Sequence, residues 1–129
     1  MASLKIELLE AKLTCNLDVA TKMEPYVIIR TPFQEYRSKT NAAGGKFPIW
    51  TNEVYAVQER ELGTDIQIIC MEEDSLSALE IGSANINMSE FQQGTGVDKW
   101  IEIFMNGKSL GNIRFKSTYS LLADSEKIK

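Results

Sequence analysis

The feature that most constrains the fold is a series of about eight short stretches in which apolar and polar residues alternate. Turn signals separate these stretches, and no helical pattern of any length interrupts them. The predicted strands are residues 4–13, 25–31, 36–40, 52–57, 66–70, 81–88, 99–105 and 111–119. This many short strands in a chain of 129 residues predicts an all-β protein, built as a sandwich or a barrel.

The length fits one domain, which we predict over residues 1–122 with a polar tail at 123–129. The net charge of −4 gives no support for a nucleic-acid partner. No apolar run approaches the roughly 20 residues of a membrane span, and residues 1–15 do not have the pattern of a signal peptide. We therefore expect a cytoplasmic protein that is monomeric in isolation.

The residue types argue against catalysis. Histidine is absent, which removes the commonest general base and the imidazole metal ligand. The two cysteines, Cys15 and Cys70, do not make a disulfide framework. We interpret them as free thiols in a reducing compartment, and a single disulfide between them is the alternative. With no nucleophile–base pair apparent, the sequence predicts a protein that is not an enzyme.

An acidic loop leads directly into the second predicted strand. Asp18 and Glu24 lie six residues apart in this loop, and Pro25 follows. Proline disfavours the helical region for the residue before it, so the second carboxylate stands at the root of a strand. A second acidic loop is predicted over residues 71–80. Carboxylate oxygens in such loops suit a hard cation such as Ca²⁺, or a docking rim.

Several segments in the same order resemble the C2 domain family over nearly the whole chain. The matching positions are residues 4–13, Asp18, residues 22–27, 48–53, 81–82 and 111–115. The family commonly has Asp where this chain has Glu24, and Asn where it has Phe47. The resemblance implies an eight-stranded antiparallel Greek-key β-sandwich. The first strand leads into the acidic loop and an extra strand comes last, which is similar to the permuted, type II topology.

The resemblance also implies calcium ligands on loops at one end of the sandwich. Carried over by position, the ligands are Asp18, Glu24, Glu72, Asp74 and Glu80. Counting back from Gly82 instead gives Met71, Glu73 and Leu79, which would not form a site. We prefer the first register, because a slip by one residue would turn Ile66 and Ile68 to the wrong face. Three of the five ligands are the longer Glu, so we expect weak binding, roughly sub-millimolar to millimolar. The alternative is a solvated acidic loop that binds no ion.

Lipid contacts are implied by the resemblance at loop tips and on a basic groove. The tip residues are Met23, Leu76 and Leu79, and the groove candidates are Arg30, Arg37, Lys39, Lys46, Arg114 and Lys116. Packing between the loops and an ordinary solvated face are the alternatives. The sequence thus predicts a non-catalytic module that docks on phospholipid membrane surfaces, with weak or optional calcium dependence. Ile28 replaces a lysine common in the family, which favours the second hypothesis: a calcium-independent protein–protein adaptor with a degenerate metal site.

Overall fold

Eight antiparallel strands form where apolar and polar residues alternate in the sequence. The computed structural model describes residues 2–14, 24–41, 46–73 and 78–121. The strands are β1 (Ala2–Leu13), β2 (Pro25–Arg30), β3 (Glu35–Arg37), β4 (Val54–Val57), β5 (Asp65–Glu72), β6 (Leu79–Asn87), β7 (Asp98–Met105) and β8 (Lys108–Leu121). Two 3-10 helices, Glu59–Glu61 and Met88–Phe91, precede β5 and β7 respectively.

Hydrogen-bonded neighbours follow the order β3-β2-β5-β6-β7-β8-β1-β4. The junction between β6 and β7 consists of a single residue pair, Ser83 with Phe104. The sheet therefore divides into two layers there, β3-β2-β5-β6 and β7-β8-β1-β4, which enclose the core. On the other side the edge strands approach each other, with the Tyr36 and Tyr55 ring centroids 5.5 Å apart. The predicted eight-stranded antiparallel sandwich is confirmed, while the type II assignment stays a prediction.

The core-facing residues of β1 show how the sequence sets the inner face. Leu4, Ile6 and Leu8 are buried, as strict alternation requires. The ladder with β8 then shifts between Leu8 and Glu10, so one extra residue forms a β-bulge. This shift keeps Ala11 and Leu13 buried, although they are out of phase with the first three.

All eight strands differ from the sequence prediction at one or both boundaries, and the differences that bear on the site lie in β5 and β6. β5 continues through Glu72 and β6 begins at Leu79, because these two residues pair with each other. The second acidic connection is therefore shorter than residues 71–80. On β4, Tyr55 is half-buried against the core while Val54 is exposed, which fixes the inner face of this strand.

A buried carboxylate joins the β2–β3 turn to the segment that follows β4. Glu61 is fully buried and accepts hydrogen bonds from the hydroxyls of Thr31 and Tyr36, the amide of Gln34 and the backbone N–H of Gln58. Burial alone would raise the pKa of this carboxyl, but the four donors outweigh it and hold the pKa below its ordinary value. Burial and the same bond to Glu61 raise the pKa of Tyr36. This network closes the end of the sandwich where β2 ends and β5 begins.

Candidate functional site

Four strand termini flank the two acidic connections at the opposite end of the sandwich, which we name the loop end: β1 ends, β2 begins, β5 ends and β6 begins there. Pro25 pairs with Glu72, and Glu72 pairs with Leu79 on its other side. The backbone N–H of Glu73 donates to the carbonyl of Glu24 at 2.9 Å. Glu24, Glu73 and Leu79, which flank the acidic connections, are thus held by neighbouring strands of one layer.

The end of β1 is tied to the same region through residues 41 and 46. The N–H of Leu13 donates to the backbone carbonyl of Lys46 at 2.8 Å, and the N–H of Asn41 donates to the backbone carbonyl of Pro25 at 2.8 Å. Asn41 and Lys46 are five residues apart, so they are within about 18 Å of each other. Both acidic connections therefore begin and end at the loop end. Asp18 and Asp74 themselves lie outside the described residues.

The strand register separates two of the predicted calcium ligands. Glu72 is buried and continues the inner face that carries Ile68 and Cys70, as the preferred register required. Glu80 pairs with Met71 and is exposed. Because cross-strand partners project to the same face, Glu72 and Glu80 project to opposite faces of the layer. The cause is a bulge at Ile81, which reverses the alternation just before β6 reaches Glu80.

The other carboxylates of the loop end are exposed. Glu24 is exposed beside Glu73. The Glu73 carboxylate accepts a hydrogen bond from the Thr40 hydroxyl at 2.7 Å and lies 3.6 Å from the guanidinium of Arg37. Within residues 2–14, 24–41, 46–73 and 78–121, no group of three Asp, Glu, Cys or His side chains could hold a metal ion. The described ligands alone do not fit Ca²⁺, and the five-residue site stays a prediction.

A sequence profile of the C2 domain matches residues 2–103. The chain belongs to the C2 domain family. C2 domains are in general non-catalytic modules, and many members bind phospholipid, calcium or proteins. A search of curated proteins found no match. The part of the chain that the structure describes contains no helix long and apolar enough to cross a membrane.

Solved structures confirm the fold. The C2A domain of plant extended synaptotagmin 1 superposes with a TM-score of 0.77 at 13% identity, covering 95% of this chain and 96% of that one. The C2A and C2B domains of extended synaptotagmin 2 match with a TM-score of 0.73 at 25% identity, over 92% of this chain and 40% of that one. Human GIVD cytosolic phospholipase A2 matches with a TM-score of 0.74 at 20% identity, but only 16% of the enzyme is covered. This chain therefore matches only a small part of the enzyme.

The predicted basic residues of this C2 domain divide between the two layers. Arg30 pairs with Glu35 at 2.7 Å, and Arg37 lies 4.1 Å above the ring of Tyr26. Both arginines lie on the outer face of the β2–β3 layer. Lys39 and Lys46 are exposed and lie nearer to the loop end. None of the ion pairs between described residues includes either lysine.

The remaining two predicted cations lie on β8, in the other layer. Arg114 donates to both oxygens of Asp98 and also to Glu10 at 2.8 Å. The hydrogen bonds from Arg114 lower the pKa of the Asp98 carboxyl, and the two carboxylates raise the pKa of Arg114. Lys116 is exposed on the same face. The structure therefore does not bring all six predicted cations into one groove.

The described part of the loop end exposes apolar side chains, and the sequence analysis did not select one of them as a lipid contact. Leu79 is 47% exposed, as a loop-tip residue would be, while Met23 and Leu76 lie outside the described residues. Phe47 is 68% exposed, between two backbone bonds that fasten its neighbours Lys46 and Pro48 to β1. The alternation of residues 47–50 is the signal that could have found it, because Pro48 and Trp50 are buried while Phe47 and Ile49 are exposed.

Proposed function

We propose that this C2 domain docks on anionic phospholipid surfaces through its loop end. The observation that carries the proposal is the placement of Phe47 and Leu79, both exposed, at the loop end. A phenylalanine with two thirds of its surface in water contributes little to the stability of the core. A membrane interface would bury that surface, and burial of a full Phe or Leu side chain stabilises by about 1.5–3 kcal/mol.

Two cations support the same orientation. Lys39 and Lys46 lie close to the loop end, and no described carboxylate pairs with either. A lysine near an anionic bilayer contributes about 1 kcal/mol. Arg37 is less available, because Glu73 lies beside it and Tyr26 lies beneath it. The apolar tips and the two lysines together supply binding without a metal ion.

Calcium acts as a weak or optional aid in this proposal. Asp18, Glu24, Glu72 and Asp74 would supply its oxygen ligands at the loop end, and Glu80 would contribute least because it faces outward. One similar structure, of the C2A and C2B domains of extended synaptotagmin 2, is described as calcium bound, at 24% identity. When bound, the ion would neutralise carboxylates that otherwise repel an anionic surface. We also propose that the protein is cytoplasmic and associates peripherally with membranes.

Co-sedimentation with phosphatidylcholine vesicles, with and without phosphatidylserine, tests the proposal. We expect Phe47→Ser to weaken binding to anionic vesicles by about 5- to 30-fold, since two thirds of a phenylalanine accounts for about 1–2 kcal/mol. The matched control is Phe33→Ser, the same change at an exposed phenylalanine in the turn at the opposite end. Equal loss in both variants would contradict insertion of the loop end. If no lipid composition sediments the protein with or without calcium, the protein–protein adaptor becomes the better hypothesis.

A further inference from the structure

The strands β6 and β7 separate on one side of their single contact and leave a groove between them. Gly82 permits that contact, because a Cβ there would lie 3.3 Å from the carbonyl of Phe104. Beyond the pair of Ser83 with Phe104, the two strands have no common ladder. The resulting β6–β7 groove has a volume of about 570 Å³. Its lining residues are Ser83, Ala84, Asn85, Ile86, Glu90, Lys99, Trp100, Ile101, Glu102 and Phe104.

The groove exposes two strand edges that face each other. Along residues 84–87, β6 pairs only with β5, and along residues 98–103, β7 pairs only with β8. In a β-strand every second residue directs its N–H and C=O toward the neighbour on the other side. Among the described strands, none occupies that side here. Four residues of free edge span about 13 Å, the length of a short extended peptide.

The outer face of β7 presents two aromatic side chains with a carboxylate between them. Trp100, Glu102 and Phe104 alternate along the strand, and the two rings are 38% and 42% exposed. Successive members of such a row are separated by about 7 Å. Large aromatic side chains that remain exposed in a rigid strand are typical of protein interaction sites, where tryptophan and tyrosine are enriched.

The charge of the groove favours a cationic occupant. Lys99 is paired with Glu90, and Asp98 is paired with Arg114. Glu102 is exposed, and no ion pair between described residues includes it. The ring of Trp100 already accepts a cation from its own chain, since Lys12 Nζ lies 5.0 Å from the ring centroid. The groove thus has one unpaired carboxylate beside a ring that attracts positive charge.

We propose that the β6–β7 groove binds an extended peptide segment of a partner protein, with basic side chains alternating with aliphatic ones. The peptide backbone adds to a free strand edge, as in other cases of recognition by strand addition. One lysine or arginine of the peptide pairs with Glu102, and its neighbours cover Trp100 and Phe104. This inference does not rest on membrane docking, because the groove lies along the strands rather than at the loop end.

Nuclear magnetic resonance of the ¹⁵N-labelled chain, without lipid or calcium, tests the proposal. The probes are acetyl-Val-Lys-Val-Arg-Val-Lys-amide and the same peptide with Glu in place of each basic residue. The chain has two tryptophans, so each indole N–H is an internal reporter. We expect the basic peptide to shift the indole signal of Trp100 and the amides of residues 84–87. The indole of Trp50, which is buried and donates to the carbonyl of Lys39 at 2.9 Å, should not move.

A pair of charge-matched variants makes the test specific. Glu102→Gln should weaken binding of the basic peptide by about two- to fivefold, which is the effect of losing one partly exposed ion pair. Glu59→Gln removes an exposed carboxylate outside the groove and should leave the affinity unchanged. Equal shifts from the acidic peptide, or equal weakening by both variants, would overturn the proposal. A response of the Trp100 indole to anionic vesicles but to neither peptide would assign this face to lipid, and would overturn it as well.

Discussion

Glu61 offers the sharpest test of how the scaffold is held together. Its carboxylate accepts four hydrogen bonds while fully buried, so Glu61→Ala leaves four donors facing a small cavity. Two donors have substitutes, because the Tyr36 hydroxyl lies 3.4 Å from the carbonyl of Ala56 and the Thr31 hydroxyl lies 3.3 Å from that of Gln34. The side-chain amide of Gln34 also keeps a partner, since it donates to the Tyr36 hydroxyl at 2.9 Å. The backbone N–H of Gln58 is the donor that loses its acceptor. A buried donor without an acceptor costs about 1–3 kcal/mol.

We therefore expect Glu61→Ala to lower the free energy of unfolding by about 2–4 kcal/mol, since the orphaned donor costs about 1–3 kcal/mol and the small cavity about 1 kcal/mol. That is a large part of the roughly 5–15 kcal/mol typical of a domain. Glu61→Gln keeps one carbonyl acceptor and loses the charge, so it should lower the free energy of unfolding by about 1–2 kcal/mol. Urea denaturation at pH 7, followed by tryptophan fluorescence, measures both. The matched control is Glu59→Gln in the same 3-10 helix, where the side chain is exposed and a change within about 0.5 kcal/mol is expected.

The pH dependence supplies a second, independent check. The folded protein holds the pKa of Glu61 below its ordinary value of 4.5, so the unfolded chain binds the proton more readily. The stability from this carboxylate is fully present above pH 4.5 and is lost as the pH falls through the lower, folded-state pKa. The difference between the wild type and Glu61→Gln should therefore shrink as the pH falls below 4.5. A difference that is the same at pH 7 and at pH 3, or that is absent at pH 7, would refute the reasoning.

Two further predictions follow from the backbone and the loop end. Gly111→Ala should destabilise by about 3 kcal/mol or more, because φ is +131° and the new Cβ would lie 2.2 Å from the carbonyl oxygen of Lys12. Gly107→Ala, at φ +79° with open space around it, should cost only about 1 kcal/mol, and equal melting temperatures for the two variants would contradict this. In titration calorimetry with Ca²⁺, Glu72→Gln should weaken the binding more than Glu80→Gln does. The reverse order would show that the faces deduced from the strand register do not decide ligation.

The strands were predictable because period-two alternation is a local signal. The apolar residues of β1 and β5 are buried as the alternation predicts. The Asn106–Gly107 pair, in which both residues have positive φ, forms the turn between β7 and β8 that this dipeptide favours. The buried residues Leu8 and Ala11 are three apart instead of two, and this break in the alternation indicates the bulge in β1. The bulge at Ile81 is not indicated by the sequence, because Ile81 and Gly82 are compatible with either phase of the apolar–polar alternation. The spacing implied by the family resemblance therefore groups Glu80 with Glu72, although the two project to opposite faces.

The parts that the sequence did not predict depend on contacts between distant segments. Glu61 sits in a polar stretch, and only the spacing of Gln58 and Glu61, that of a capping box, hints at an ordered turn. Its burial comes from Thr31, Gln34 and Tyr36, which are at least 25 residues away in the chain. The exposure of Trp100 is equally non-local. An apolar residue at the edge of a strand has the same local pattern whether a neighbour covers it or not.

The distance between the Glu61 network and the loop end has a practical consequence for engineering. Among the described residues, those of the Glu61 network lie away from the loop end, so peptides inserted between Thr14 and Glu24 or between Asn41 and Lys46 would join the chain far from the buried carboxylate. Doubling the length of such a connection costs only about 0.6 kcal/mol in closure entropy. This domain can therefore serve as a display scaffold on which new binding sequences are exchanged one connection at a time.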